Sequence, residues 1–242
     1  VITIDFNRLN IKPGCRILDI GCGTGRHTCG ACKFRKVVAI GVDINFDDVF
    51  EAGSRLKNQE RLGEDGGGVC KVSVADIYHL PFRDNYFDLV ICSEILEHLH
   101  DEKRAVSEAV RVLKPGKDFV VSVPKYLPEG ICWALSEKYH NTENGHIRIY
   151  KKKALFDLLE REGLKPRGHH SAHSLHTPYW WLKCLVGPER EDCRLVNLYH
   201  RFLVWDIMRH PWITRFLDRL LNPVMGKSIV VYLTKDDPNT VL

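Results

Sequence analysis

The chain has 242 residues, 44% hydrophobic and 27% charged, which is ordinary globular material and enough for one sizeable core. Its formal charge of +4 lacks the basic excess that would by itself mark a nucleic-acid footprint. No run approaches the roughly 18 to 20 consecutive apolar residues that span a bilayer, and no basic segment followed by an apolar one opens the chain. A cytoplasmic location is expected. Nine cysteines at irregular spacing read as reduced thiols rather than a disulfide framework. The chain opens at Val1 rather than methionine, which implies residues trimmed upstream.

Short β-branched runs alternate with helical patterns, as in parallel strands joined by crossover helices. Strands are predicted at Arg16 to Ile20, Val37 to Ile44, Cys70 to Ile77, Phe87 to Ser93, Phe119 to Pro124, Pro166 to Ser171 and Ser228 to Thr234. Helices are predicted to begin near Gly25, Asp47, Asp101 and Lys151. In the third of these, Ala105, Ala109, Val112 and Leu113 recur at helical spacing before Pro115-Gly116 stops it. The fold class this implies is α/β, a doubly wound, mostly parallel seven-stranded sheet in one domain spanning residues 1–242. Residues 126–148 and 175–227 exceed what the sheet needs and read as lid or substrate-binding insertions.

The first strand runs into Asp19-Ile20-Gly21-Cys22-Gly23-Thr24-Gly25. Its glycines permit a tight turn and close backbone approach to a ligand before the next helix. That loop alone fits any Rossmann-like nucleotide site, dehydrogenases included. Asp43, roughly 20 residues on, ends the second strand where a carboxylate can accept ribose hydroxyls. Asp76, in Val74-Ala75-Asp76-Ile77, adds a second carboxylate that a dinucleotide fingerprint does not require.

Five segments in order then carry a resemblance: Leu18 to Gly25; Asp76 with Leu80-Pro81-Phe82; Phe87-Asp88-Leu89-Val90; Leu96-Glu97-His98-Leu99; and Val112-Leu113-Lys114-Pro115-Gly116. Together they resemble the class I S-adenosylmethionine-dependent methyltransferases, in the small-molecule, type-11-like branch. The resemblance is strong from about Ile17 to Pro124 and weak elsewhere. It implies that S-adenosylmethionine is the cofactor and that the last strand of the sheet is antiparallel. Asp19 and the backbone of Gly21, Cys22, Gly23 and Gly25 would hold the methionine end. Asp43 would bind the ribose, Asp76 and Ile77 the adenine edge, and Ile44 the adenine face, while Ser93 and Glu94 would line the floor. Arg26 and His27 are less distinctive and read equally well as first-turn residues.

Methyl transfer from a sulfonium is an in-line displacement, so alignment and water exclusion are the protein's main tasks. A hydroxyl acceptor would need a base, and histidine suits neutral pH. The resemblance points to His146, in Gly145-His146-Ile147-Arg148-Ile149-Tyr150, with Tyr150 beside it. His169, His170, His173 and His176 lack a ligand pattern of metal-site spacing, so no metal is expected. Cys29 and Cys32 have redox-motif spacing but read as structural.

The second insertion holds four of the five tryptophans. In it Trp212, Ile213, Phe216, Leu217, Leu220 and Leu221 form one helical stripe with Arg215 and Arg219 opposite. That stripe either packs on the domain or forms a lid over an apolar acceptor pocket, with peripheral membrane contact as a further use. The expected partner is a small apolar or aromatic metabolite rather than nucleic acid. The alternatives are an RNA methyltransferase, or an inactive binding protein that keeps the fold.

Overall fold

The computed structural model describes residues 2–142 and 145–237. After a short 3-10 turn at Phe6–Arg8, the elements in order are β1 (Arg16–Ile20), α1 (Arg26–Cys32), β2 (Val38–Asp43), α2 (Phe46–Arg61), β3 (Val69–Val74) and β4 (Phe87–Ser93). They continue with α3 (Glu102–Val112), β5 (Leu113–Pro124), α4 (Tyr126–Leu135), α5 (Glu137–His140), α6 (Lys152–Arg161) and β6 (Leu164–Ala172). The chain closes with α7 (Thr177–Val186), α8 (Arg194–Arg209), α9 (Trp212–Met225) and β7 (Ser228–Lys235).

The sheet order is β3-β2-β1-β4-β5-β7-β6. The first five strands pair in parallel, and β7 inserts antiparallel between β5 and β6. Strands buried on both faces read as near-continuous apolar runs, and β1 and β4 follow that pattern apart from Asp19 and Asp88. Side chains alternate across the sheet: Leu18, Val90 and Val121 join one core cluster, and Ile17, Ile91 and Val120 the other. At the exposed edge, β3 carries mostly exposed residues.

Helix starts follow local chemistry. Asn45 caps α2 by accepting from the Asp47 and Asp48 amides, and Asp101 caps α3 by accepting from the Arg104 amide. α3 buries Ala105, Val106, Ala109 and Val112 against the sheet.

Three expectations are corrected. The third helix stops at Val112, and Leu113 already pairs with Phe87; the register then shifts before Leu89 meets Asp118. Pro115 has no amide to give the ladder, and Gly116 takes φ +69°, so residues 114–117 form the irregularity within β5. β3 ends at Val74 because the Asp76 carboxylate accepts the Tyr78 amide at 2.9 Å, a local turn that draws the chain off the sheet. Cys32 and Cys70 are disulfide-bonded, with Cα atoms 6.1 Å apart, so the thiols are not all free. The end of α1 packs beside β3, a contact across 38 residues of sequence that spacing does not reveal.

Residues 126–140 and 177–225 are largely helical. α4 packs on α7, and the Trp181 indole donates to the Pro128 carbonyl at 3.0 Å. α9 docks in the unexpected sense, by its polar face. Asp218 accepts from the Ser174 hydroxyl (2.7 Å) and the Leu175 amide (3.2 Å), Asn222 accepts from the Ser174 amide, and Thr214 is buried. The apolar stripe therefore points to solvent, with Trp212 76%, Phe216 59% and Leu220 62% exposed.

Candidate active site

In open α/β sheets, ligands bind beyond the carboxyl ends of the strands where the strand order reverses. Here the order reverses between β1 and β4. At that point lies a cleft of about 550 Å³ lined by Gly21, Asp43, Ile44, Asp76, Ile77, Ile95, His98, Leu99, Gly145 and Ile147 among others.

The glycine loop is built for close approach. Gly21, Gly23 and Gly25 have φ of +63°, +49° and +84°, a region that suits glycine. A Cβ on Gly21 would meet Ile95, whereas one on Gly23 would meet nothing within 4 Å, leaving room beside Gly23 for a ligand. The Cys22 amide is spent on the Val42 carbonyl, and its buried thiol is pushed up by desolvation.

Asp43 accepts the Gly23 amide at 2.8 Å and the Asn45 amide at 2.9 Å. These bonds fix the carboxylate at the cleft wall with lone pairs remaining for hydroxyl donors. Ile44 beside it is 74% exposed, an unpacked apolar side chain suited to a flat aromatic ligand. Asp76 and Ile77 face the same space. An adenosyl group fits this donor and acceptor set.

Asp19 lies beneath the loop, 2% exposed, accepting from the Thr28 hydroxyl at 2.6 Å. Burial pushes its carboxyl up to about 6, although Thr28 and Arg26 pull the other way. His27 is also buried; its Nε2 accepts the Thr3 amide, and desolvation lowers it to about 3, so it is a neutral structural residue. Arg26 is exposed at the start of α1.

Ser93 and Glu94 end β4 outside that cleft lining, in a polar cluster behind it. The Ser93 and Ser122 hydroxyls are 2.8 Å apart, and Ser122 donates to Glu94 at 2.7 Å. Glu94 adopts φ +58°, a strained conformation for a residue with a side chain.

His146 joins this cluster. Its Nδ1 lies 2.6 Å from Glu129 Oε1, and the Glu129 side chain is 1% exposed. Burial alone would raise Glu129, but the hydrogen bond and charge of His146, with Lys227, hold it below the usual carboxylate range. The His98 ring sits 5.0 Å from that of His146, and its Nδ1 contacts the Gly145 carbonyl at 3.1 Å. Glu97 is fully buried, and desolvation raises it well above the ordinary glutamate value. The Lys227 ammonium, lowered by burial, faces Glu129, Glu94 and Glu97 and covers the Trp180 ring at 4.2 Å.

Tyr150 is turned into the core. It is buried, donates to the Leu96 carbonyl at 3.3 Å, and is pushed up to about 12 mainly by burial. Sequence reasoning missed Glu129, which sits in an unpatterned insertion, and Glu97 and His98, which lie in a recognised segment but carry no spacing signal. The four histidines of 169–176 lie on or after β6, at the far edge of the sheet, and do not rim the cleft. His169 contacts Lys152, His170 stacks on Tyr232, and His173 contacts Thr3.

The fold and this site define a doubly wound α/β domain with a cleft at its switch point whose lining suits an adenosyl ligand. A family model described as a methyltransferase domain matches residues 18–121. The ubiquinone/menaquinone biosynthesis C-methyltransferase UbiE of Bordetella avium is 36% identical over 177 residues, 66% of this chain and 67% of that protein. Cycloartenol-C-24-methyltransferase 1 of Oryza sativa is 32% identical over 142 residues, 59% of this chain and 37% of that protein. The chain belongs to the class I S-adenosylmethionine-dependent methyltransferases, whose methyl donor is S-adenosylmethionine. Among solved structures, the [4+2]-cyclase SpnF matches with a TM-score of 0.61 at 20% identity, covering 96% of this chain and 79% of that one. That likeness shows the shared fold alone. The chain spans about a third of the length of several curated relatives it matches, 38%, 31% and 37%.

Proposed function

We propose that this domain transfers a methyl group from S-adenosylmethionine to oxygen or carbon of a small, largely apolar metabolite. The observation that carries the reading is the cleft's second half, where Ile95, Leu99 and Ile147 give apolar walls beside the His146–Glu129 pair. When bound, the cofactor supplies an activated methyl whose carbon–sulfur bond breaks with its electron pair going to sulfur. Asp19, Gly21, Gly23 and Gly25 would fix the methionine end, and Asp43, Ile44, Asp76 and Ile77 the adenosine. Glu129 orients the His146 imidazole toward the task of activating an acceptor. Ser93 and Glu94 hold the floor through Ser122. Residues 126–148 and 175–227 act as the acceptor lid of a single domain. The quinone and sterol names of the two relatives support an apolar acceptor.

The outward stripe of α9 adds a place of work. Trp212, Phe216, Leu220 and Val224 are exposed, as are Arg194, Arg201, Arg209 and Arg219 on α8 and α9. The acids of these helices, Asp206 and Asp218, are bonded inward. An exposed apolar face on a helix pair that also carries exposed arginines complements an anionic lipid surface, where apolar acceptors partition. No helix of the described residues is long and apolar enough to cross a membrane.

The test is transfer of radiolabelled methyl to a prenylated phenol in phosphatidylglycerol vesicles, run against total tRNA. Label in the phenol is expected; label in RNA alone would contradict the reading.

A further inference from the structure

We propose that Glu97, His98 and His146 form a site for a divalent transition-metal cation at the acceptor side of the cleft. The inference rests on the methyl-transfer reading for its purpose, though not for its geometry. One ligand atom from each of the three residues lies within 4.8 Å of the other two. Adjacent ligands on a tetrahedral ion with bonds of about 2.0–2.2 Å lie about 3.3–3.6 Å apart, so the three atoms close in by up to about 1.5 Å as an ion binds, within the reach of side-chain rotation.

The carboxylate points to a missing partner. Glu97 is 0% exposed, and neither of its oxygens has a hydrogen-bond partner among the described residues. A buried carboxylate is costly unless paired or metal-bound. Its surroundings deepen that deficit: Glu94 and Glu129 face the same cluster, with the Lys227 ammonium as the opposing charge.

The imidazoles are arranged as metal-bound histidines are. A ligating histidine characteristically gives its other ring nitrogen to a carboxylate or backbone carbonyl. His146 Nδ1 meets the Glu129 carboxylate at 2.6 Å and His98 Nδ1 meets the Gly145 carbonyl at 3.1 Å. On His146 the ring nitrogen left to face an ion is then Nε2. Two histidines and one carboxylate suit zinc, iron or cobalt, and three protein ligands leave an open position.

His98 and Gly145 line the cleft, so the open position serves the acceptor. An acceptor hydroxyl bound there has its pKa lowered, releases its proton to water, and attacks the methyl carbon as the carbon–sulfur bond breaks. The acceptor class narrows to phenols, catechols or similar hydroxyl compounds. With the cation present, His146 acts as a ligand rather than as a free base.

Cobalt(II) is the probe, because its visible spectrum reports ligand type. Chelator-stripped protein is titrated with cobalt, and S-adenosylmethionine affinity is measured in parallel by calorimetry. The expected result is one cobalt per chain with a nitrogen–oxygen spectrum free of thiolate charge-transfer bands. Affinity should fall at least 100-fold in Glu97→Gln and in His146→Gln, and about 10- to 100-fold in Glu129→Gln, which removes only the orienting carboxylate. His146 is partly exposed, so His146→Gln keeps the measurement meaningful if Glu97→Gln does not fold. Wild-type protein that takes up no cobalt, or takes it up through thiolates, overturns the inference while leaving the methyltransferase reading intact. Failure of the wild type to bind S-adenosylmethionine overturns that reading instead.

Discussion

His146 Nδ1 and Glu129 Oε1 are 2.6 Å apart, joining the loop before α6 to α4 across the acceptor side of the cleft. The imidazole satisfies a buried carboxylate, and the carboxylate fixes the ring. Structural and chemical roles therefore meet in one contact, and substitution can separate them. His146→Ala should lower kcat about 10²- to 10⁴-fold with S-adenosylmethionine affinity nearly unchanged. It should also cost about 1 to 3 kcal/mol of stability by taking the imidazole partner from buried Glu129. His146→Asn, whose amide nitrogen can reach the Nδ1 position, should recover stability without turnover. Thermal melts beside steady-state kinetics check both. Glu129 titrates below its ordinary range, so the pair's stabilisation should persist above the ordinary glutamate pKa and disappear only as pH falls below it.

Asp19 should show the opposite sign. Burial pushes its carboxyl up to about 6 from the ordinary aspartate value of 3.8, so between these values the folded protein keeps a proton that the unfolded chain has lost. Its contribution to stability is most favourable below pH 3.8 and falls by roughly 2 to 3 kcal/mol as pH rises to 6. Asp19→Asn should remove that slope and match or exceed wild-type stability at pH 7, while weakening S-adenosylmethionine binding. Denaturant titrations at stepped pH measure the slope.

Gly23 isolates cofactor approach from folding. At φ +49° with nothing within 4 Å of an added Cβ, Gly23→Ala should cost only about 1 to 2 kcal/mol of backbone strain. S-adenosylmethionine binding should fall at least tenfold. Gly21→Ala, whose Cβ would overlap Ile95, should cost more in stability.

The exposed stripe of α9 makes a prediction about place. Replacing Trp212, Phe216 and Leu220 with serine should leave the melting temperature nearly unchanged, since these side chains are already in solvent. Co-sedimentation with anionic vesicles should be lost. If the wild type does not sediment with vesicles at low salt, the surface role fails.

What could be read from the sequence divides by distance along the chain. The loop Asp19 to Gly25, with Asp43 and Asp76 at or just past successive strand ends, is local chemistry repeated in order, and Gly21, Asp43, Ile44, Asp76 and Ile77 line one cleft. Periodicity also located the helix at Trp212, but it does not say which face meets the domain. Asp218 and Asn222 decide that through Ser174 and Leu175, more than 40 residues away. The same holds for Glu129 with His146 and for Cys32 with Cys70, contacts made only once the sheet and its insertions have assembled. Tyr150 reads as a site residue because it adjoins His146, yet its hydroxyl is spent on Leu96. The Cys32–Cys70 bond also removes the support that free thiols gave to a cytoplasmic location.

The most direct test is calorimetric titration of the purified protein with S-adenosylmethionine, with NAD as the comparison ligand and Asp43→Ala as the control. Micromolar binding of S-adenosylmethionine, weakened about 10- to 100-fold in the variant as expected for lost hydrogen bonds to a charged group, with no binding of NAD, is the result this site requires. Binding of NAD without S-adenosylmethionine would contradict both the cofactor and the chemistry assigned to the cleft.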